Sequence, residues 1–361
     1  MGIWQIQGGQ RFDQQGEPIF IGNTHITVKD WPDRIIVLRE DDLVFPSLAD
    51  FHVHTKPEDA MVPSIGVYPS DLLSSGVMLA GDGGTRGWGG NASWSLKDEL
   101  PITKVWVSLN SNGLDQYPLT PDFDGLTEGQ SEAVCRTINS LGNKKAGLKI
   151  RLGQHDRAED QRLWSRGISL ARSCQVPVMV HITGTFLPPE EILEGLEAHD
   201  VLTHVFHGQR GSLATGPGLL NAVFDCVGKG VILDVGHGSR HFSWSTFHRL
   251  CAEGLTPDTI STDLTRFTYR KRPVYDLPFL CSKLVAGGLS WSQIYRGVLT
   301  RPYAYYSLPL PSDSVVILRY WPHAVRFDDG DGQNVVGKGL WRPVLVVAQG
   351  QVIRNRLAIA G

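Results

Sequence analysis

Eight short apolar runs alternate with longer stretches of helical character between residues 46 and 304, and this alternation restricts the fold more than any other feature of the chain. The runs are Ser47–Val53, Gly76–Ala80, Thr103–Leu109, Gly147–Ile150, Val176–His181, Val201–Phe206, Val231–Val235 and Thr259–Asp263. Parallel strands covered by helices on both faces read as near-continuous apolar segments of this kind. Between the runs, Val134, Ile138 and Leu141 fall on one helical face, as do Trp164, Ile168 and Ala171. Pro189, Glu190 and Glu191 suit the first turn of another helix. Eight strand-helix units close a parallel barrel, so the spacing predicts an α/β fold, a (β/α)8 TIM barrel over residues 46–304. The ends read differently. Segments near Ile19–Ile21, His25–Val28 and Arg34–Leu38 are short strand candidates, and so are SVVILRY and RPVLVVAQGQVIRN, with a hairpin turn at Gln349-Gly350. Residues 1–45 and 305–361 are therefore expected to join in a small composite β-sandwich domain beside the barrel.

Polar residues at the ends of these runs carry the chemistry. In DFHVHT, His52 and His54 are two apart, and strand periodicity sends both to one side, where they can share a metal ion. Asp50 lies on the same face and is a candidate supporting group. Lys149 sits inside the apolar GLKIRLG, where a charged ammonium is costly to bury. Paired or snorkelling, it is structural. As a neutral amine it can add carbon dioxide and become a carbamate able to bridge two ions. His181 ends VPVMVHI and His204 sits in VLTHVFHG, so two successive strand ends offer imidazoles. His207 follows as pocket lining or an alternative ligand, and Asp263 fits the last strand as ligand and proton acceptor. Together these residues suit two divalent ions sharing the carbamate and a bridging hydroxide. The ions lower the pKa of the water, and Asp263 moves the proton to the leaving group. Zinc suits so many histidines, with manganese or cobalt as alternatives.

Composition narrows the class further. The net charge is -3 from 34 basic and 37 acidic residues, with no long block of one sign, which gives no support to nucleic-acid or membrane-surface binding. No apolar run is long enough to span a bilayer, and the first residues lack the basic start and apolar core of a signal peptide. The five cysteines are isolated and form no CxxC pair, which predicts free thiols in a reducing cytoplasm rather than a disulfide framework or a cysteine-ligated zinc. No GxSxG elbow, Walker motif or dinucleotide fingerprint appears in a suitable context.

The chain resembles the amidohydrolase superfamily over essentially its whole length. The residues that carry the likeness are DFHVHT at 50–55, GDGGTRG at 81–87, GLKIRLG at 147–153, VPVMVHITG at 176–184, VLTHVFHG at 201–208, VGHGSRHFSW at 235–244 and STDL at 261–264. Within that superfamily it is similar to the binuclear dihydroorotase- and hydantoinase-like members, and most to a dihydroorotase-like branch that includes deacetylases of small acylated acids. The resemblance implies that His52, His54 and Asp263 hold the more buried ion, that carboxylated Lys149 bridges, and that His181 and His204 hold the second. It also implies that Gly83 and Gly84, and His237 and Phe242, lie near the substrate, with Arg151 able to meet a substrate carboxylate. Three positions depart from the branch. The second-strand loop lacks an alanine between its acid and glycine, His207 replaces an asparagine, and Arg240-His241 replaces a small pair.

The expected function is metal-dependent hydrolysis of an amide or ester in a carboxylate-bearing small molecule. Deacylation of an N-acyl amino acid or O-acyl hydroxy acid comes first, and cyclic-amide hydrolysis is the alternative. A deaminase is disfavoured because no glutamate follows His204 closely. A catalytically silent metal-binding barrel is the reading from another class. The sequence is compatible with a homo-oligomer.

Overall fold

The computed structural model describes residues 1–13, 16–20, 23–56, 64–89, 100–111, 128–154, 156–214, 216 and 218–357. Seven parallel strands follow one another around a barrel: Leu48–Val53, Val77–Asp82, Ile102–Ser108, Lys145–Arg151, Val178–His181, Val201–Thr203 and Ile232–Asp234. Each pairs with its sequence neighbour, as βα repetition requires. The eighth run stands where the sequence places it, but as an extended segment with a single bridge, Asp234 to Thr259. It still seals the barrel. Val235, His237 and Gly238 donate backbone hydrogen bonds to Thr259, Ser261 and Thr262, and on the other side Asp263 donates to His52 and His54 to Leu264. Side chains explain why no regular strand forms there. Asp234 takes the hydroxyls of Thr259 and Ser261, Asp50 takes both the amide and hydroxyl of Thr262, and Asp263 turns to φ 51°.

Buried apolar residues fill the two shells expected of such a barrel. Leu79, Val107, Leu148, Val180, Leu202 and Leu233 belong to the large core shared with the helices. Inside the barrel floor, Phe51, Trp106, Met179 and Ile232 pack together, closed from below by Tyr305 and Tyr306, whose hydroxyl accepts from Trp106 Nε1 at 3.1 Å. The interior is therefore packed at one end and polar at the C-terminal ends of the strands. The helix read from Trp164, Ile168 and Ala171 spans Arg157–Ser173, capped by the Asp156 carboxylate accepting from Glu159 N. The one read from Val134 and Ile138 spans Glu128–Ser140.

The termini form two further sheets. One orders Asn23–Val28, Gly2–Gln7 and Arg34–Val37; the other runs Gln351–Asn355, Asn334–Ala348, Val315–Asp328, Leu43–Phe45, Gln10–Phe12 and Pro18–Phe20. Trp4, Ile6, Ile26 and Val28 meet Val315, Ile317, Leu345 and Val347 in a second core, so strands from both ends share one sandwich. Ile21 lies outside the described residues. The turn at Gln349-Gly350 is present, with φ 48° and 74°. The preceding hairpin is longer than the sequence suggests: Val315–Asp328 and Asn334–Ala348 run on through residues 320–342, with one register shift at Ile317/Leu318, opposite Pro343, and another at Pro322/Val325. Its tip reaches the barrel, where Gly330 N donates to Phe242 O and Asp329 accepts from Trp244 N.

One expectation is corrected. Cys135 and Cys174 form a disulfide, leaving Cys226, Cys251 and Cys281 as thiols. The partners lie 39 residues apart, one on the helix Glu128–Ser140 and the other capping Arg157–Ser173, so neighbouring helices bring together cysteines that sequence spacing shows as isolated. Among the described residues, no helix is long and apolar enough to cross a membrane.

Candidate metal centre

The C-terminal ends of the strands open into a cavity of about 160 Å³. His52, His54, Lys149, His181, His204 and Asp263 all line it, together with Gly83 and Arg151. Gly84, His207, His237 and Phe242 are buried and are not among the described residues that line it. His241 does line it, although the sequence marked that position only as a departure.

His52 is positioned by a chain of hydrogen bonds. Asp234 Oδ2 accepts the Thr203 hydroxyl proton at 2.7 Å, so Thr203 Oγ1 accepts in turn from His52 Nδ1 at 2.9 Å. That tautomer leaves the Nε2 lone pair facing Lys149 Nζ at 3.2 Å and Asp263 Oδ1 at 3.5 Å. Gly83 makes room for this ring, since a Cβ there would stand 2.0 Å from His52 Cδ2. His54 is set by Thr85 Oγ1, 2.9 Å from its Nδ1, while its Nε2 lies 3.2 Å from Asp263 Oδ1. Asp82 holds that threonine's amide and the Thr55 hydroxyl. His204 Nδ1 donates to the Gly236 carbonyl at 2.5 Å, which again leaves Nε2 free to accept. His204 and Asp263 both hold left-handed backbone, φ 64° and 51°, a strain of about 1 kcal/mol or more at each that the surrounding hydrogen bonds sustain.

Two groups of three donors result: His52, His54 and Asp263, and His181, His204 and His241. Within each, the donor atoms lie within 4.8 Å of one another. The His52 and His204 rings are 5.1 Å apart, so the two groups adjoin.

The protonation states suit cations. Burial pushes His181 and His204 well below the ordinary imidazole range, helped by neighbouring imidazoles, and pushes His241 down to about 4. His52 is lowered by burial and then by Lys149. Burial alone would raise Asp263. The hydrogen bond from His54 and the nearby imidazoles outweigh it and hold the carboxyl well below the usual carboxylate range. Burial lowers Lys149 to about 7 against the pull of Asp263 and Asp234, so a large fraction of it is neutral amine at neutral pH. Neutral imidazoles, an ionised carboxylate and a nucleophilic amine are a donor set that fits two divalent ions.

Asp234, Thr203 and Thr85 hold these rings through hydrogen bonds, and the sequence reading did not single them out. Asp234 ends an apolar strand as the ligand candidates do, and that signal could have found it. Asp50 supports the site through Thr262, beside Asp263.

No family model matches the chain. A deacetylase of Agrobacterium fabrum is 28% identical over 269 residues, covering 72% of this chain and 64% of that protein. The match thus spans just under two thirds of that relative's length. A deacetylase of Enterococcus faecalis is 27% identical over 329 residues, 85% of each chain. Among solved structures, a dihydroorotase superposes with TM-score 0.80 at 22% identity over 98% of both chains, a likeness of fold. An adenine deaminase superposes with TM-score 0.78 at 25% identity, over 98% of this chain and 99% of that one.

Proposed function

We propose, for a chain that belongs to the amidohydrolase superfamily, that the cavity hydrolyses an amide or ester bond in a small carboxylate-bearing acyl compound with the help of two divalent ions. The reading is carried by one observation: two adjoining three-donor groups lie in the cavity that Lys149 also lines. His52, His54 and Asp263 would hold one ion, and His181 and His204 the other, with zinc as the metal that so many imidazoles suit. Lys149 would link them as a carbamate. Its neutral amine attacks carbon dioxide, a C–N bond forms, and one proton leaves to solvent. Bound there, the ions would supply Lewis acidity for water activation and for polarising the scissile carbonyl.

The chain's own residues do the rest. Asp263 is ionised and reaches both His52 and His54, so it can accept a proton from the attacking water and return it to the departing amine or alcohol. Arg151 lines the same cavity and offers a guanidinium to a substrate carboxylate. Thr203 and Asp234 fix the His52 tautomer through the turnover.

The substrate class we favour is an N-acyl amino acid or O-acyl hydroxy acid, supported by the two relatives named deacetylases. The test is a panel of N-acetyl amino acids, O-acetyl hydroxy acids, dihydroorotate and hydantoins, given to protein loaded with zinc, manganese or cobalt. Metal-dependent acetate release is expected. Ring opening with no acetate release would move the assignment to cyclic amides, and absence of turnover with two ions bound would favour a silent metal-binding barrel.

A further inference from the structure

The third donor of the second group does not come from a strand end. His241 lies on the loop after the seventh strand, and its ring stands 4.4 Å from that of His204 and 4.9 Å from that of His181. The loop is fixed from several directions. His237 N and Gly238 N donate to Ser261 and Thr262, Gln209 Nε2 donates to Arg240 O, and Gly330 of the hairpin tip donates to Phe242 O. Gly238 adopts φ 48°, and a Cβ there would stand 2.5 Å from His241 Cδ2 and 2.6 Å from Asp263 Oδ2. Bare backbone at that point lets His241 and Asp263 approach each other. The Nδ1 atom of His241 is buried and has no hydrogen-bond partner among the described residues, while Nε2 lies 3.9 Å from Asp263 Oδ2. A buried, unpaired imidazole nitrogen costs free energy unless something else takes that atom.

We propose that His241 is a third imidazole ligand of the second ion, so that this ion is held by three histidines while the first is held by two and a carboxylate. The inference rests on the binuclear reading above and extends it. The two positions then differ in metal preference. Three imidazoles favour zinc over manganese more strongly than two imidazoles and a carboxylate do. A carbamate on Lys149 is common to both ions and does not alter the contrast.

The experiment compares the wild-type protein with His241→Ala and His241→Gln, each loaded with zinc and dialysed against graded chelator. Bound zinc is measured by elemental analysis, and the visible spectrum of the cobalt-substituted protein reports coordination. The wild type should retain two ions. Each variant should retain the first unchanged and release the second at free-zinc levels about 100-fold higher or more, with a shifted cobalt spectrum. In manganese–zinc competition, zinc should displace manganese from the second position first in the wild type, and that order should weaken in the variants. The glutamine variant preserves bulk, and melting curves verify that either variant is folded. Unchanged zinc retention and an unchanged cobalt spectrum would overturn the proposal, as would a variant that only raises KM, which would make His241 a substrate contact. A wild-type protein that never holds a second ion would overturn the binuclear reading itself, a distinct result.

Discussion

The two halves of the metal centre are held by different means. His52, His54 and Asp263 are braced from within the barrel: Asp234 and Thr203 set one ring, Asp82 and Thr85 the other, and Asp50 fixes Thr262 beside the carboxylate. His181 and His204 also sit at strand ends, but His241 depends on a loop supported from outside, by the hairpin tip and by Lys283. One half is thus positioned by residues on the barrel's own strands and on the loop after the second. The other takes its third donor from a loop that is held by contacts from outside the strands, such as Gly330 N to Phe242 O. The difference suggests that the first half should survive damage to the outer supports, and that damage to its own braces should leave the second half in place.

The largest effect is expected at the residue both proposed tasks share. Asp263→Asn keeps the shape and removes the charge and the proton acceptor. Its kcat should fall by roughly 10² to 10⁴ under metal saturation, with the first ion weakened and the second retained. Steady-state kinetics with parallel metal analysis read both. A variant within threefold of wild-type kcat would remove Asp263 from the chemistry. Lys149→Met fills the same space without an amine and should weaken both ions by about 100-fold or more, because the proposed carbamate touches each. Intact mass and carbon-13 spectra of protein prepared in labelled bicarbonate should show the added carboxyl in the wild type and not in the variant. Full occupancy by two ions in the variant would disprove the bridge.

How much of this was legible follows from the same contrast. Strand periodicity puts His52 and His54 on one side, and the apolar runs mark where Lys149, His181, His204 and Asp263 must emerge, so one cavity gathers all six. The barrel is readable for the same reason, since parallel strands announce themselves by burial. His241 has no such marker. Loop direction is not encoded in any period, and the hairpin tip that fixes it reads in sequence as a polar break, DDGDGQ, rather than as the end of two long strands. The eighth strand shows the converse: the sequence locates it correctly, while hydrogen bonds to the Asp50 and Asp234 carboxylates, invisible to periodicity, decide that it is extended rather than regular.

A third prediction tests the outer support. Lys283 is fully buried, with Nζ 2.6 Å from His237 Nε2 and 2.5 Å from the Asp328 carbonyl. Burial lowers its pKa to about 7, partly opposed by Asp329 and Asp328. The unfolded chain therefore binds this proton more tightly than the folded one. The charging cost is fully present below pH about 7 and disappears as pH rises toward the unfolded value near 10.5. Unfolding free energy of the wild type should rise across that window relative to Lys283→Met, by on the order of a few kcal/mol. Parallel profiles would show that Lys283 is charged in the folded protein. The variant should also loosen the second ion and spare the first.

The smallest effect, and the sharpest for the comparison, is expected from Asp234→Asn. The carboxylate accepts from Thr203 at 2.7 Å, Thr259 at 2.7 Å and Ser261 at 2.7 Å, and lies 3.5 Å from His52 Nδ1. An amide keeps the volume but has one acceptor oxygen where the carboxylate has two. Thr203 then loses the fixed acceptor for its proton and no longer dictates the His52 tautomer. Nothing in the second group touches Asp234 directly among the described contacts. The first ion should weaken by about 10- to 100-fold, the usual range for an outer support, while the second is unchanged. Cobalt titration separates the two positions by their spectra. Equal weakening of both would mean that Asp234 acts by holding the last strands of the barrel together, and that the two halves are not independently supported.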